Sequence, residues 1–458
     1  MSIVDCKING QKIRCEMGAT ILEVARNAGI EIPTLCYLKE INKAGACRMC
    51  VVEIKGIPRL MAACTTVVAE GMDILTDSEK VTASRIKTLD LICKRHRMDC
   101  EYCPDYMYCE LHNLIRKYGL DDRIYSQVYH QRTADETSAC IVRDASKCIL
   151  CRRCISTCKL QGVEAISALN RAASTVMGAI IPMAETNCIG CGQCVKNCPT
   201  GALFIKDETD LLWKAHNEKK TIVFGIMPET ARNIGKFFGD EEPVNEIERI
   251  VAITKKIDID AVYDLSGIET LGVRTVSEEI NKKQHLTGEA VFVSACPGAI
   301  QYYRENDNLV KFKTNEELFY QMVVREYENK KIEKKQLFVV FISPCVANKK
   351  KHACDAVLTT TELFQWMLRA CISKFTLHQI WNNTKPEKAQ VPKDLEELKG
   401  QMNLKTILEG LINQPVVMLE GLPHGDKILE KHSVYMVSCC IGGCVKGGGQ
   451  FRTQDFIK

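Results

Sequence analysis

No apolar run in this sequence approaches the ~20 residues that a membrane-crossing helix needs. The N-terminus, Met1-Ser-Ile-Val-Asp-Cys-Lys, has no apolar signal core. Both absences favour a reduced, cytoplasmic compartment over membrane or secretion. Aromatic residues make up only 6% of the chain and no long basic block occurs, so nothing argues for a nucleic-acid partner. No Gly-x-Gly-x-x-Gly follows a strand-like run, which leaves the chain without a dinucleotide fold of its own. The formal charge of +4 is small and evenly spread. With 46% hydrophobic and 26% charged residues in 458, the composition is that of a globular protein of three or four domains.

Cysteine is what the chain has in excess: twenty-six of them. Disulfide scaffolds are usually much shorter and secreted, so grouped cysteines here point to metal. Most fall into five frames. Four follow one another: Cys36/Cys47/Cys50/Cys64, His96/Cys100/Cys103/Cys109, Cys148/Cys151/Cys154/Cys158 and Cys188/Cys191/Cys194/Cys198. The fifth is scattered over Cys296, Cys345, Cys440 and Cys444. The third and fourth are two copies of C-x₂-C-x₂-C-x₃-C, an iron–sulfur run; zinc sites use paired C-x₂-C arms instead. For His96/Cys100/Cys103/Cys109 a Cys₃His zinc site is chemically possible, but its place between two iron–sulfur frames favours a cluster. Cys6, Cys15, Cys93, Cys140, Cys354, Cys371 and Cys439 are left over and read as small buried hydrophobes, with Cys439 an alternative ligand beside Cys440.

The pattern between the frames predicts a multidomain α+β and α/β chain. Two alternating segments, Ser2–Ile8 and Gln11–Glu16, meet at Asn9-Gly10, a strong hairpin signal. A helical period in Thr20–Ala28 stops at Gly29. Helices are expected over Val81–Arg95 and Tyr106–Tyr118. Glu208–Lys220 is mostly polar and reads as a linker. Beyond it, strands (Thr221–Ile226, Ala261–Tyr263, Ala290–Ser294, Gln336–Ile342, Ala356–Leu358, Ser433–Val437) alternate with helices, which argues for a mostly parallel sheet. Thr384–Lys399 reads as a surface excursion. Cys296, Cys345 and Cys440 each follow a strand, and in open α/β sheets ligands bind beyond the strands' carboxyl ends.

These features resemble known modules. The hairpin, helix and cysteine loop of 1–79 resemble a β-grasp [2Fe–2S] ferredoxin, with the ligand spacing of complex I and multimeric hydrogenases. Residues 80–123 look like a His-Cys₃ [4Fe–4S] module, and 138–210 like a two-cluster bacterial ferredoxin. That last resemblance implies that Cys148, Cys151, Cys154 and Cys198 hold one [4Fe–4S] cluster and Cys158, Cys188, Cys191 and Cys194 the other. With 221–458 as an iron-hydrogenase-like domain, nearly the whole chain resembles the large subunit of a multi-cluster [FeFe]-hydrogenase. Ser294-Ala-Cys-Pro-Gly298, Ser343-Pro-Cys345 and Cys440-Ile-Gly-Gly-Cys444-Val-Lys-Gly-Gly-Gly-Gln450 are similar to its signature loops. The resemblance implies that Cys296, Cys345, Cys440 and Cys444 hold a [4Fe–4S] cube, which Cys444 would bridge to a di-iron subsite carrying CO and cyanide.

Departures from the family fall around that subsite. Ala295 stands where a proton-donating cysteine is usual, Ser343 and Ser438 where methionines are. Asn348 stands where a lysine bonds cyanide, and Lys351 where a relay glutamate is. A Gly-Gly-Val-Met-Glu segment has no counterpart in Ile372–Ser433. The expectation is one [2Fe–2S] and four [4Fe–4S] clusters, without the di-iron unit and with no catalytic residue of the chain's own. The chain would be the electron-transfer subunit of a soluble, electron-bifurcating NAD(P)H/ferredoxin oxidoreductase. Flavin and NAD(P) would sit on partner subunits of a hetero-oligomer, with ferredoxin as a further partner. An active [FeFe]-hydrogenase with an altered pocket, or a hydrogen or redox sensor, are the alternatives.

Overall fold

The computed structural model describes residues 2–103, 105, 109–125, 134–239, 246–274, 276–287, 290–370, 387–392, 395, 409, 412, 416–420, 434–438 and 440. The chain opens with the antiparallel hairpin of β1 (Ile3–Ile8) and β2 (Gln11–Glu16). Asn9 and Gly10 both take positive φ, 50° and 83°, the backbone a tight primed turn demands. Helix α1 (Ile21–Asn27) starts at a reciprocal cap between Thr20 and Glu23. With β3 (Val51–Ile54), β4 (Ile57–Ala62) and β5 (Asp73–Leu75) the sheet reads β2-β1-β5-β3-β4. Ile8, Val52 and Ile74 from the sheet meet Ile21, Leu22 and Ala25 of α1, all fully buried. This core fixes the long loop between α1 and β3, which carries Cys36, Cys47 and Cys50.

Helix α2 (Glu79–Arg95) is capped by the Ser78 hydroxyl and ends where His96 turns extended. Helix α3 (Glu110–Lys117) begins later than its sequence pattern suggests, because Cys109 is extended and acts as its N-cap; residues 106–108 lie outside the described residues. Then come β6 (Ala134–Asp135), β7 (Ile141–Asp144), α4 (Arg153–Leu160), β8 (Ser167–Leu169), β9 (Val176–Gly178), α5 (Gln193–Lys196) and β10 (Leu203–Ile205). They make a three-stranded sheet, β10-β7-β6, and a β8–β9 hairpin.

The expected linker is instead a helix, α6 (Thr209–Asn217). Its apolar residues, Leu212, Trp213 and Ala215, pack into the last domain's core, Trp213 lying 5.9 Å from Trp366. The polar residues between them hid a short amphipathic period.

The last domain comprises β11 (Thr221–Ile226), α7 (Pro228–Phe237), α8 (Glu246–Lys255), β12 (Ala261–Asp264), α9 (Ile268–Arg274), α10 (Ser277–Thr287), β13 (Val291–Ser294), α11 (Pro297–Tyr302), β14 (Leu309–Lys311), α12 (Asn315–Asn329), β15 (Leu337–Ile342), β16 (Ala356–Leu358), α13 (Thr360–Ala370), β17 (Val416–Glu420) and β18 (Val434–Ser438). Its described strands pair in parallel, in two sheets rather than one: β12-β11-β15-β16 and β14-β13-β18-β17. Parallel strands covered on both faces are apolar throughout. In β11, Ile222, Phe224 and Ile226 face one core and Val223 the other. Much of the excursion at 384–399 lies outside the described residues.

A buried ion-pair network ties α6 to this domain. The Lys349 side chain is fully buried, and its Nζ donates to Glu362 Oε1 at 2.9 Å and to the Val357 carbonyl at 2.5 Å, with Glu208 Oε1 at 3.5 Å. The Glu208 amide donates to Glu362 Oε1, and Glu208 Oε2 accepts from the Val357 amide. Removing the cation would strand buried carboxylates. Lys349→Met is therefore expected to destabilise this domain by about 3–5 kcal/mol, read as a lowered midpoint in denaturant titration.

Candidate metal centres

In the first module the four thiols converge as two touching pairs. Cys50 and Cys64 have their sulfurs 3.3 Å apart, and the Cys36 sulfur accepts from the Cys47 amide at 3.5 Å. The thiol–thiol bond to Cys36 lowers Cys47 to about 6, and the bond to Cys64 lowers Cys50. The same two bonds raise Cys36 and Cys64. Cys64 also feels the charges of Cys36 and Cys47, so the set is one cluster of sulfurs.

In the ferredoxin-like module Cys148, Cys151, Cys154 and Cys198 line one cavity. Burial raises the thiols of Cys148, Cys151 and Cys154, and the charge of Cys198 adds to each rise. Cys194 is raised by burial and then by Cys191 and Cys188, with Cys158 also contributing. The structure thus brings together the two crossed sets, each joining residues from both copies of the repeat. The loops are built alike: Leu150 and Arg152 in one copy, Gly190 and Gly192 in the other, all take φ between 59° and 72°. Left-handed residues alternating with right-handed ones turn backbone N–H groups inward, a concavity suited to an anion such as a thiolate-bound cluster. Non-glycine residues pay roughly 1–2 kcal/mol for that conformation, and Leu150 and Arg152 hold it nonetheless.

His96 is buried and its Nδ1 has no hydrogen-bond partner. Burial lowers its imidazole to about 4, so the ring is a neutral donor. Cys103 is raised by burial, Cys100 likewise to about 11 and Cys109 to about 12, and Cys103 adds to the rise of both. Lys147, almost fully buried, lies against His96, Cys100 and Cys103 and pairs with Asp99 at 2.9 Å. Spacing had not revealed Lys147. Nor had it revealed His112 and Asp122, whose ligand atoms lie with the Cys100 sulfur, all within 4.8 Å of one another. A buried orphan nitrogen beside grouped thiols fits a His-Cys₃ metal set.

Cys296 follows β13, Cys345 follows β15 and Cys440 follows β18, at the carboxyl ends of strands from both sheets. Cys345 is raised well above its usual value by burial and then by the charges of Cys296 and Cys440, which places the three in one group. Cys444 lies outside the described residues, as do Cys439 and Cys371. A cavity of about 230 Å³ adjoins Cys296 and Cys345. Its polar lining includes Glu229, Glu269, Asn315, Ser343, Asn348 and Ser438. Glu229 and Glu269 are both raised, mainly by burial, and Glu269 further by Glu229. Asn348 Nδ2 donates to Ser343 Oγ at 2.9 Å.

The frames adjoin one another in a branched series. Cys36, Cys47, Cys109 and Cys151 share one buried apolar cluster, so both N-terminal frames abut the Cys148 frame. Cys194 feels Cys154, linking the two ferredoxin-like frames. Gln193 Nε2 then donates to Cys440 Sγ at 3.3 Å, and Lys350 Nζ donates to the Cys188 carbonyl at 2.5 Å.

Against known proteins, residues 2–79 match the 2Fe-2S iron-sulfur cluster binding domain, 147–202 the 4Fe-4S dicluster domain and 220–403 the iron only hydrogenase large subunit, C-terminal domain. Over 98% of its length the chain is 27% identical to the NADP-reducing hydrogenase subunit HndD of Solidesulfovibrio fructosivorans, spanning 89% of that protein. It is 37% identical over 44% of its length to the NADPH-Fe(3+) oxidoreductase subunit alpha of Geobacter sulfurreducens, of which it spans 24%. Iron hydrogenase 1 of Clostridium pasteurianum is 28% identical over 78% of this chain, which spans 66% of it. No described helix is long and apolar enough to cross a membrane.

Gly201 supplies a test of the His96 site. A Cβ there would lie 2.6 Å from Cys103 Sγ and 3.3 Å from Asp105 Cβ. Gly201→Ala is expected to cost the chain about four irons, one four-iron cluster, with the [2Fe–2S] EPR signal retained. Full iron content in that variant would detach Cys103 from the ligand set.

Proposed function

We propose, for a chain that joins the C-terminal domain of the iron-only hydrogenase large subunit to 2Fe–2S and 4Fe–4S domains, that it is the electron-transfer subunit of a flavin-based NAD(P)H/ferredoxin oxidoreductase. It is a hydrogenase-like oxidoreductase subunit of the multi-cluster type; bifurcation and the loss of the di-iron unit are the finer reading. The domains assigned are 1–79, 80–123, 138–210 and 221–458. One [2Fe–2S] and four [4Fe–4S] clusters would supply one-electron carriers when bound in the five frames. The thiolates and His96 hold them, and the buried apolar lining excludes water. Flavin and NAD(P) would be carried by cytoplasmic partner subunits, since no dinucleotide motif occurs here.

The observation that carries this reading is the lining of the C-terminal cavity. A di-iron unit with cyanide ligands is anionic and needs hydrogen-bond donors. Here Glu229 and Glu269 line the space beside Cys296 and Cys345. Asn348 turns onto Ser343, and the neighbouring Lys349 is spent on Glu362. Ala295 has no proton to give. Losing one outer-shell partner typically costs about 10–100-fold in metal affinity or activity, and several are replaced together.

Chain produced anaerobically with the hydrogenase maturation machinery is expected to hold about eighteen irons, to show no infrared bands of bound CO or cyanide, and to evolve no hydrogen. Such bands together with hydrogen turnover would restore the hydrogenase. Alone, the chain is expected not to reduce NAD(P)⁺ with reduced ferredoxin, gaining that activity only with a flavin-bearing subunit. Nicotinamide reduction by the isolated chain would refute the division of labour.

A further inference from the structure

Asn42 belongs to no cysteine frame, yet its side chain hydrogen-bonds two of them at once. Its Nδ2 donates to the carbonyl of Cys36 at 2.7 Å and to the carbonyl of Cys151 at 3.1 Å. Two carbonyls can only accept, which fixes the NH₂ end of the amide toward the cysteines, and the Ser156 hydroxyl donates to Oδ1 at 2.8 Å. Asn42 is 3% exposed, so water does not compete for these bonds. Its own backbone is pinned by paired N–H to carbonyl bonds with Leu38, both 2.9 Å. Around it Arg153 donates to the carbonyls of Cys36 and Tyr37 and is held bidentate by Glu110, at 2.6 and 2.8 Å. Both hydrogens of one rigid amide thus close a short bonded path from a residue of the first frame to a residue of the third.

We infer that Asn42 is the positioning residue for electron transfer between the [2Fe–2S] frame and the Cys148/Cys151/Cys154/Cys198 frame. This rests on the ligand assignment under Proposed function. The step moves one electron, oxidising the first centre and reducing the second by one unit each, with no proton transferred. Asn42 serves it twice. It sets the separation of the two loops, and it replaces a through-space gap by bonded atoms from the Cys36 carbonyl to the Cys151 carbonyl. A side chain that only stabilised the fold would leave the rate unchanged once the clusters were in place.

The test uses the full chain loaded with its clusters and reduced in a flash by photoexcited deazaflavin. Freeze-quench EPR then follows the [2Fe–2S] and [4Fe–4S] signals as they equilibrate. Asn42→Leu removes both donors at similar volume and is expected to slow that equilibration about ten-fold, the order of effect of an outer-shell partner, with iron content and both potentials unchanged. Asn42→Gln, which keeps two N–H donors, is expected to recover most of the rate, and carries the test should the leucine variant lose a cluster. An unchanged rate in a fully loaded variant overturns the inference, as does a slower rate that shifted potentials fully explain. Absence of a [2Fe–2S] signal from the unmodified chain would refute the ligand assignment itself, and the inference with it.

Discussion

The N-terminal half of the molecule is organised by a conflict: sulfur atoms are gathered where they are worst tolerated as charges. Burial disfavours a thiolate, and neighbouring thiolates repel it. Both effects act on nearly every frame, and they drive Cys154 and Cys194 well above the ordinary thiol range. A positive metal centre reverses the sign of both terms, since ligation requires the deprotonated sulfur and releases its proton. The protein cores beside these frames are small. The sheet β10-β7-β6 has three short strands, and its buried contacts include the cysteines Cys140, Cys154, Cys194 and Cys198. Folding and cluster binding are therefore coupled most tightly between residues 138 and 210, where little apolar core exists apart from the ligands.

The same constraint explains how the modules meet. Loops around a cluster have their backbone groups turned toward sulfur, leaving carbonyls to be satisfied from outside. At three junctions a polar side chain crosses to the neighbouring module. Asn42 serves the Cys151 carbonyl and Arg153 that of Cys36, Lys350 serves the Cys188 carbonyl, and Gln193 donates to the sulfur of Cys440. Each contact satisfies a group that burial would otherwise penalise, and each also holds two frames side by side. Module docking and the proximity of the frames thus follow from the same hydrogen bonds.

How much of this was legible in the sequence depends on how local the signal was. The hairpin at Asn9-Gly10, the helix from Thr20 and the cysteine frames are written in spacing, and the structure brings most frame residues together. The two-sheet split of the last domain was not legible, because β11 and β13 read alike as apolar runs and pairing partners leave no local mark. Helix α6 was misread because its buried face is only Leu212, Trp213 and Ala215 among charges. The bridging residues were invisible for another reason. Asn42 contacts Cys151 across 109 positions and Gln193 contacts Cys440 across 247, and no periodicity spans such gaps. Glu229 and Glu269 enter one cavity from the starts of two different helices, α7 and α9, so neither flags the other.

On the proposed reading, the cube and the di-iron unit of the C-terminal domain differ in the kind of support each requires. A four-iron cube needs sulfurs delivered to one point, and strand ends do that through the sheets: Cys296 and Cys440 from adjacent β13 and β18, Cys345 from β15 of the other sheet. Those positions are held by cores that have reasons of their own to persist, such as the Phe224, Val340 and Ile342 contacts between β11 and β15. The space beside those cysteines is lined instead by loop side chains, among them Ser343 and Asn348, which bond each other. Lys349 is one residue past Asn348, the position at which the resemblance implies a cyanide-bonding lysine, and a shift of one residue on a tight turn changes the face to which it points. It reaches Glu362 and Glu208 rather than the cavity, and so anchors α6 to the domain. On the same reading, Asn348→Lys would not by itself make a di-iron pocket. The new cation would face Glu229 and Glu269, which already line that space.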